Sequence, residues 1–436
     1  MHHRALRLSG SVDCQIRAYA ANATPRYGIV RGMPRGKGES LSTIGLFAGI
    51  GGIERGLELA GHRNELLCEI DVGARKVLEH HFEAKIERDI RRMGAAFPKV
   101  DLIAAGFPCQ DLSQAGATAG ITGRQSRLVG EVFKRLRHKK NGPRWLLLEN
   151  VPFMLQLERG RAMRYLVNEL ENLGFMWAYR IVDARAFGIP QRRKRVLLLA
   201  SRTEDPRPVL FRCEGGENVP AFSPDRLCGF YWTEGLRGLG WAVDAVPTLK
   251  GGSTIGIPSP PAIWDPLDGS ISTPDIRDAE RLQGFNADWT SPALTDAEVR
   301  RGHRWKLVGN AVSVSVARWI GDRLASPSGD PPASVALDRG VAWPSAAWGH
   351  QGKVYSVDAS TWPVKEPAIA LREFLRFPRS PLSHRAAAGF LSRAKVSGLH
   401  FEDGFLKDVS RHVDRMARSL STAHAIEVGE EQPACA

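Results

Sequence analysis

Cysteine is sparse in this 436-residue chain, acids are outnumbered by bases, and long apolar runs are missing. The six cysteines, Cys14, Cys68, Cys109, Cys213, Cys228 and Cys435, stand far apart. None forms a C-x-x-C pair, so a zinc ribbon is not expected and no metal site is assigned. Scattered thiols in a chain this long point to a reducing compartment rather than a disulfide framework. No stretch approaches the roughly 20 apolar residues of a membrane span. The first residues lack the apolar core of a secretion signal. The expectation is a cytoplasmic protein with no membrane partner. No internal repeat stands out.

What is present is ordinary in bulk and uneven in charge. Hydrophobic residues make up 43% and charged residues 25%, enough for a sizeable core and against wholesale disorder. The length suits two or three domains, or one large α/β domain with an insertion. Lys and Arg total 60 against 47 Asp and Glu, a formal net charge of +13. Such a surplus favours a polyanionic partner, nucleic acid before a membrane surface.

Residues 1–40 read as a basic, flexible arm carrying Arg4, Arg7, Arg17, Arg26, Arg31, Arg35 and Lys37. Three readings stay open there: a phosphate-touching arm, an Arg-rich transit segment, or a chain that starts at Met33. From 41 to 202, apolar runs alternate with helix-period stretches. Strands are expected at 41–47, 65–70, 100–105, 145–149 and 196–200, and helices at 73–82, 127–138 and 162–173. This alternation implies an α/β fold with a mostly parallel, Rossmann-like sheet and helices on both faces. Ligands then bind beyond the carboxyl ends of the strands. Residues 203–275 are loop-rich, and 276–325 return to regular structure with one strong helical pattern over 304–324. A linker is expected at 326–334. The extension 335–436 holds helical candidates near 368–374 and 405–420. Its Arg372, Arg376, Arg379, Arg385 and Arg393 suit either phosphate contact or a solvated basic face.

Chemistry-bearing residues gather at the expected strand ends. Phe47-Ala48-Gly49-Ile50-Gly51-Gly52 follows the first strand, and its glycines allow a tight turn and close ligand approach. Glu54 occupies the third glycine place of a G-x-G-x-x-G fingerprint, so the loop suits a nucleoside cofactor without a pyrophosphate claim. Glu69-Ile70-Asp71 offers acids for ribose hydroxyls. Asp89 and Ile90 offer a carboxylate and an apolar side chain for the edge and face of an adenine. Gly106-Phe107-Pro108-Cys109-Gln110 places a thiol where a nucleophile would stand. Glu149-Asn150-Val151 offers a carboxyl whose pKa burial would raise. In Gln191-Arg192-Arg193-Lys194-Arg195, alternate cations must point inwards as the chain enters a buried strand. Arg281-Leu282-Gln283-Gly284-Phe285 follows, and Gly309-Asn310-Ala311-Val312 is expected to open the last strong helix.

This ordered set resembles the C5-cytosine DNA methyltransferase family, over about residues 41–324. The resemblance implies the S-adenosylmethionine-dependent methyltransferase fold with a smaller, loop-rich target recognition domain. It implies S-adenosylmethionine as cofactor and double-stranded DNA as partner. A restriction endonuclease encoded nearby is a further candidate partner, and monomeric action is expected. By position, Phe47, Gly49, Gly51, Glu69, Asp71, Asp89, Ile90, Pro108 and Asn310 would line the cofactor pocket. Cys109 would be the nucleophile, and Glu149, Arg193 and Arg195 would hold a flipped cytosine. Gln110 and Ser113 would lie near DNA, with Arg237, Thr248, Leu249 and Lys250 as recognition candidates. One departure is visible: where the family often has an acid, two residues before the motif phenylalanine, this chain has Gly45. An enzyme acting on tRNA cytosine and an inactive DNA-binding homologue are the competing readings.

Overall fold

The computed structural model describes residues 38–107, 126–137, 142–212, 214–252, 258–327, 329–330, 332–338 and 340–430, with 126–127 and 420–430 as backbone only. The chain opens with β1 (Ser42–Leu46), α1 (Gly52–Leu59), β2 (Arg63–Cys68), α2 (Val72–His81), β3 (Lys85–Glu87), β4 (Leu102–Gly106), α3 (Ser126–Leu136), β5 (Trp145–Asn150) and α4 (Arg161–Asn172). Then come β6 (Met176–Asp183), β7 (Gln191–Arg192), β8 (Lys194–Ser201) and α5 (Arg207–Phe211). Short strands follow: β9 (Cys228–Phe230), β10 (Ala242–Val243), β11 (Val246–Pro247), β12 (Ala262–Asp265) and β13 (Ser270–Thr273). Helices α6 (Ile276–Leu282), α7 (His303–Asn310) and α8 (Val314–Ala325) lead to β14 (Ser334–Ala336), β15 (Ala346–His350) and β16 (Lys353–Val357). The last elements are α9 (Leu371–Phe374), β17 (Ser380–Pro381), α10 (His384–Lys395) and α11 (Phe405–Glu430).

Ten strands form one sheet in the order β14-β16-β15-β6-β8-β5-β4-β1-β2-β3. From β3 to β5 every pairing is parallel, and from β5 to β14 every pairing is antiparallel. The expected parallel character therefore holds for one half, and the whole sheet is mixed. Alternation along each strand sorts its side chains to two faces. Ile44, Leu46, Ile103, Ala105, Leu146 and Leu148 join the cluster that holds residues of α3 and α4. Leu102, Ala104, Trp145 and Leu147 join the cluster beneath α1, α5 and α8. α1 lies so close to α8 that a Cβ on Gly56 would collide with Ala317.

The sequence pattern misses β6, whose apolar run is broken by Arg180. This arginine is fully buried and donates to the carbonyls of Leu210 and Ser360 and to Glu214. Residues 207–211 pack into the main body, since Val209, Leu210 and Phe211 are core. Beyond the expected linker, β15 pairs along β6, so residues 346–357 complete the large sheet. Tyr179 donates to the Pro344 carbonyl, and Trp343 packs edge-on against Trp177 and Tyr179. A second, five-stranded sheet, β10-β9-β12-β13-β17, shares a core with α10 and α11 through Phe230, Trp264, Phe390 and Phe405.

The expected single helix over 304–324 is two. α7 ends at Asn310 and α8 starts at Val314, with Ala311 and Ser313 extended. The break has a cause. Carbonyls that a continuous helix would use, those of Gly309 and Ala311, accept hydrogen bonds from Arg193 instead.

Candidate active site

Parallel pairing brings the carboxyl ends of β1 to β5 to a single edge. β8 opposes β5, so its first residues lie at that same edge. Asn150 pairs with Val196 and Glu149 with Leu197, which carries Arg195 to the end of β5. The Arg195 Nε atom is 2.9 Å from Glu149 Oε1, with both side chains largely buried. Gly106 of β4 pairs with Glu149, and a Cβ on Gly106 would lie 3.7 Å from Glu149 Oε2. Burial pushes the Glu149 carboxyl up from its ordinary value, while Arg195 and Arg193 pull it back. The strand that leads towards Cys109 thus runs beside a carboxyl group inclined to keep a proton. Pro108, Cys109, Gln110 and Ser113 lie outside the described residues.

The loops after β1, β2 and β3 carry the residues expected to meet a nucleoside. Phe47 holds a left-handed φ of 56°, a strained conformation for a bulky residue. Gly49, also left-handed, has open space where a Cβ would stand, and its amide donates to Glu69 Oε2 at 2.8 Å. Gly51 is required for a different reason: a Cβ there would collide with Phe82. The other Glu69 oxygen accepts from the Asp71 amide, so one carboxylate ties the two loops together. Burial raises its pKa against those amide bonds. Ile70, beside it, is 65% exposed. An apolar side chain standing open next to a loop-bound acid suits the face of a base. Its position between two acids in the Glu69-Ile70-Asp71 motif is the sequence signal for it.

Three cofactor candidates take different parts. Asp71 caps α2 by accepting from the Ala74 amide, and it also meets His303 and Lys306 of α7. Burial would raise its carboxyl, but the His303 and Ala74 bonds hold it well below the usual range. Asp71 therefore joins α2 to α7. Ile90 is 2% exposed and sits in the main core. Its side chain cannot cover an adenine face, which corrects the expectation for that side chain. Asp89 is partly buried and gripped by Arg91 through both oxygens. Asn310 ends α7 and lies against Gly251.

Arg193 lies deep in the structure. It is 2% exposed and donates to the carbonyls of Leu249, Gly309 and Ala311. Its guanidinium ties three backbone segments together and bears on Glu149 by charge. Gln191, fully buried, donates to the Leu282 carbonyl and accepts from the Leu249 amide. Gln283 donates to the Val308 carbonyl and accepts from Ser313. The two glutamines lock the Gln-Arg-Arg-Lys-Arg and Arg-Leu-Gln-Gly-Phe motifs to the α7–α8 break.

Among the recognition candidates, Leu249 is 2% exposed and cannot reach a DNA groove; its backbone anchors Arg193. Thr248 donates to the Arg192 carbonyl and accepts from Tyr231 at its own carbonyl. Lys250 pairs with Glu234 at 2.7 Å and lies over the Tyr231 ring. Arg237 is exposed in a turn closed by Gly235 N–H on the Gly238 carbonyl.

Glu54 escaped the sequence reading as a site residue. It is buried at the start of α1, neither carboxyl oxygen has a hydrogen-bond partner among the described residues, and its side chain would collide with a Cβ on Gly45. Burial is the main reason that its pKa is pushed up to about 8, with Glu69 and Glu58 adding repulsion. The missing acid on β1 is thus matched by an acid on the helix that packs over it.

The sheet and its strand-end loops define an S-adenosylmethionine-dependent methyltransferase fold. The family description C-5 cytosine-specific DNA methylase matches residues 41–223. Over 394 residues the chain is 48% identical to Type II methyltransferase M2.BsuMI of Bacillus subtilis (strain 168), covering 87% of this chain and 100% of that protein. It is 36% identical to Type II methyltransferase M.BanI of Aneurinibacillus aneurinilyticus over 193 residues, 43% of this chain and 44% of that one. Among solved structures, the S. pombe Dnmt2 methyltransferase aligns over 66% of this chain and 99% of its own, with a TM-score of 0.49 and 18% identity. The chain belongs to the C-5 cytosine-specific DNA methylase family, and its activity is DNA cytosine-5 methylation.

Proposed function

We propose that this protein modifies one short sequence in double-stranded DNA as the methylating arm of a restriction-modification system. It would do so through a covalent adduct on Cys109. The observation that carries the chemistry is the buried Glu149–Arg195 pair at the edge where β4 leads towards Cys109. S-adenosylmethionine supplies an electrophilic methyl group to C5. Phe47, Gly49, Glu69, Ile70 and Asp89 are the residues to hold it. The open side of Gly49 and the exposed Ile70 fit a nucleoside.

The ring carbon C5 of cytosine is a poor nucleophile. Addition of the Cys109 sulfur to C6 makes C5 enamine-like. Glu149, kept inclined to protonation by burial, donates to N3 as charge builds on the ring. Arg195 fixes the orientation of that carboxyl. Once C5 carries the methyl group, its proton passes to solvent, the C6–S bond breaks and the Cys109 sulfur leaves as thiolate, which restores the ring. The target base must leave the stack for any of this to occur. Burial pushes the Cys68 and Cys228 thiols up to about 12, so neither competes as a nucleophile. Residues 203–275 would read the sequence. Leu249 and Gly251 of that interval already lie against Arg193 and α7, which supports a reading loop at the active edge. An endonuclease of the same specificity is the expected companion.

The test is base-resolution 5-methylcytosine sequencing of DNA from cells expressing the protein, with Cys109→Ala beside it. Methylation at one short motif, absent in the variant, is expected. No methylation in either sample would overturn the proposal.

A further inference from the structure

Several arginines near the carboxyl terminus take no part in the site above. Most are committed. Arg372 grips Asp265 through both of its terminal nitrogens, at 2.6 and 2.7 Å. Arg393 donates to the carbonyls of Glu234 and Trp232. Arg379 is different, and it lines a pocket of about 310 Å³ together with Ser270, Ile271, Ser272, Pro381 and Arg415.

Two donors in this pocket have no acceptor among the described residues. Nη1 of Arg379 is buried without a hydrogen-bond partner, and so is the hydroxyl of Ser272, a residue 7% exposed. Leaving such groups unpaired away from water is costly, so their occurrence in one pocket calls for an acceptor. The charge balance says which kind. Nη2 of Arg379 lies 3.6 Å from Asp265 Oδ2, but that carboxylate already faces Arg372, so two guanidiniums share one anion. Arg415 points Nη2 at Nδ1 of His412, 2.9 Å away. His412 lies with its other ring nitrogen 2.7 Å from the Leu382 carbonyl. An imidazole accepting at one nitrogen and donating at the other is neutral, and so cannot balance Arg415. Nearby Asp268 receives the Ser270 amide, and Asp408 is taken by Trp264 and Arg411.

We propose that this pocket binds a phosphate group, with Ser272 and Arg379 at its base and Arg415 at its exposed rim. A guanidinium fork beside hydroxyl donors matches the acceptor oxygens of a phosphate. The elements bring the donors together by construction. β13 carries Ser270 and Ser272, and its antiparallel partner β17 sets Arg379 at its start by pairing Ser272 with Pro381. α11 supplies Arg415 from above. A backbone phosphate of the DNA substrate is the favoured source, and free inorganic phosphate is the other. The DNA source rests on the activity assigned above.

The experiment has two arms, on the full chain and on its Arg415→Gln, Arg415→Lys and Ser272→Ala variants. In the first, binding of a labelled duplex bearing the methylated motif is followed across a salt series. Arg415→Gln is expected to lower the slope of log affinity against log salt by about 1, and Arg415→Lys to retain it. Ser272→Ala is expected to weaken binding several-fold with the slope kept. In the second arm, melting temperature is measured in inorganic phosphate against chloride at equal ionic strength. A phosphate-specific rise in the wild type, lost in Arg415→Gln and Ser272→Ala while the DNA slope stays put, assigns the site to the free anion. An unaltered DNA slope together with no phosphate-specific rise overturns the proposal. Wild-type methylation of the same duplex is measured alongside. Its failure would strike the DNA activity, and the inorganic-phosphate arm would then decide the pocket by itself.

Discussion

From β3 to β5 the strands of the large sheet all run one way, and the carboxyl end of each contributes to the site. From β8 to β14 each strand opposes its neighbour, and only the start of β8 reaches the site. The contrast shows two ways of assembling chemistry on a sheet. Parallel strands deliver every outgoing loop to the same edge, so Phe47, Glu69, Asp89 and Glu149 converge without further design. A single antiparallel strand does something that they cannot. It sets the beginning of one segment against the end of another, and so brings Arg195 to Glu149. The rest of the antiparallel half supports that placement from behind.

If the antiparallel half is structural necessity rather than accessory, removing it should cause the largest effect. A chain ending at Ser326 would leave β6 with an unpaired edge and uncover Trp177 and Tyr179, each fully buried in the whole protein. The expected result is an insoluble product with no cofactor binding and no methylation. A soluble, active fragment would dissolve the comparison. Next in size is a change at the seam between the halves. Glu149→Gln keeps the shape but removes the acidic proton offered to N3, and kcat should fall by roughly 10²–10³. Cofactor affinity, measured by calorimetry, should hold, because the cofactor loops belong to the parallel half. A loss of both together would mean that the seam does not divide these roles.

The smallest effect probes the parallel half alone. The Glu54 carboxyl has a folded pKa of about 8 against an ordinary 4.5. The folded state therefore holds its proton more tightly than the unfolded chain. The stability associated with that proton is complete below pH 4.5 and is lost as pH rises to about 8. Glu54→Gln cannot ionise, so its melting temperature should exceed that of the wild type by a margin that widens from pH 5 to 8 and then levels. A margin independent of pH would show that Glu54 is ionised throughout.

The same contrast explains what could be read in advance. The parallel strands and β8 are continuous apolar runs, and β1, β2, β4, β5 and β8 lie within a few residues of where the pattern puts them. Glu149 and Arg195 could be named because each sits at the end of such a run. β6 stayed hidden behind Arg180, a buried charge that only long-range partners such as Ser360 make tolerable. The second sheet was illegible because its strands are two to four residues long, too short for alternation to register. The surroundings of Arg193 and Leu249 are not legible for one reason: a cation and an apolar residue in a motif look alike whether they face a ligand or a backbone. Nothing local announces that three carbonyls, from Leu249, Gly309 and Ala311, await a guanidinium.

Pairing of β15 along β6 also has a consequence for synthesis. A ribosome makes β6 long before its outer neighbour, about 170 residues apart at the interval implied by the Ala347–Tyr179 pairing. Throughout that interval the nascent chain presents an unpaired strand edge beside bare tryptophan and tyrosine rings, a state open to wrong partners. Closure must wait until residues 346–350 have left the exit tunnel. The newly made enzyme therefore acquires its finished sheet only late in translation, and a cell that needs its DNA marked promptly depends on that last quarter of the message being read through.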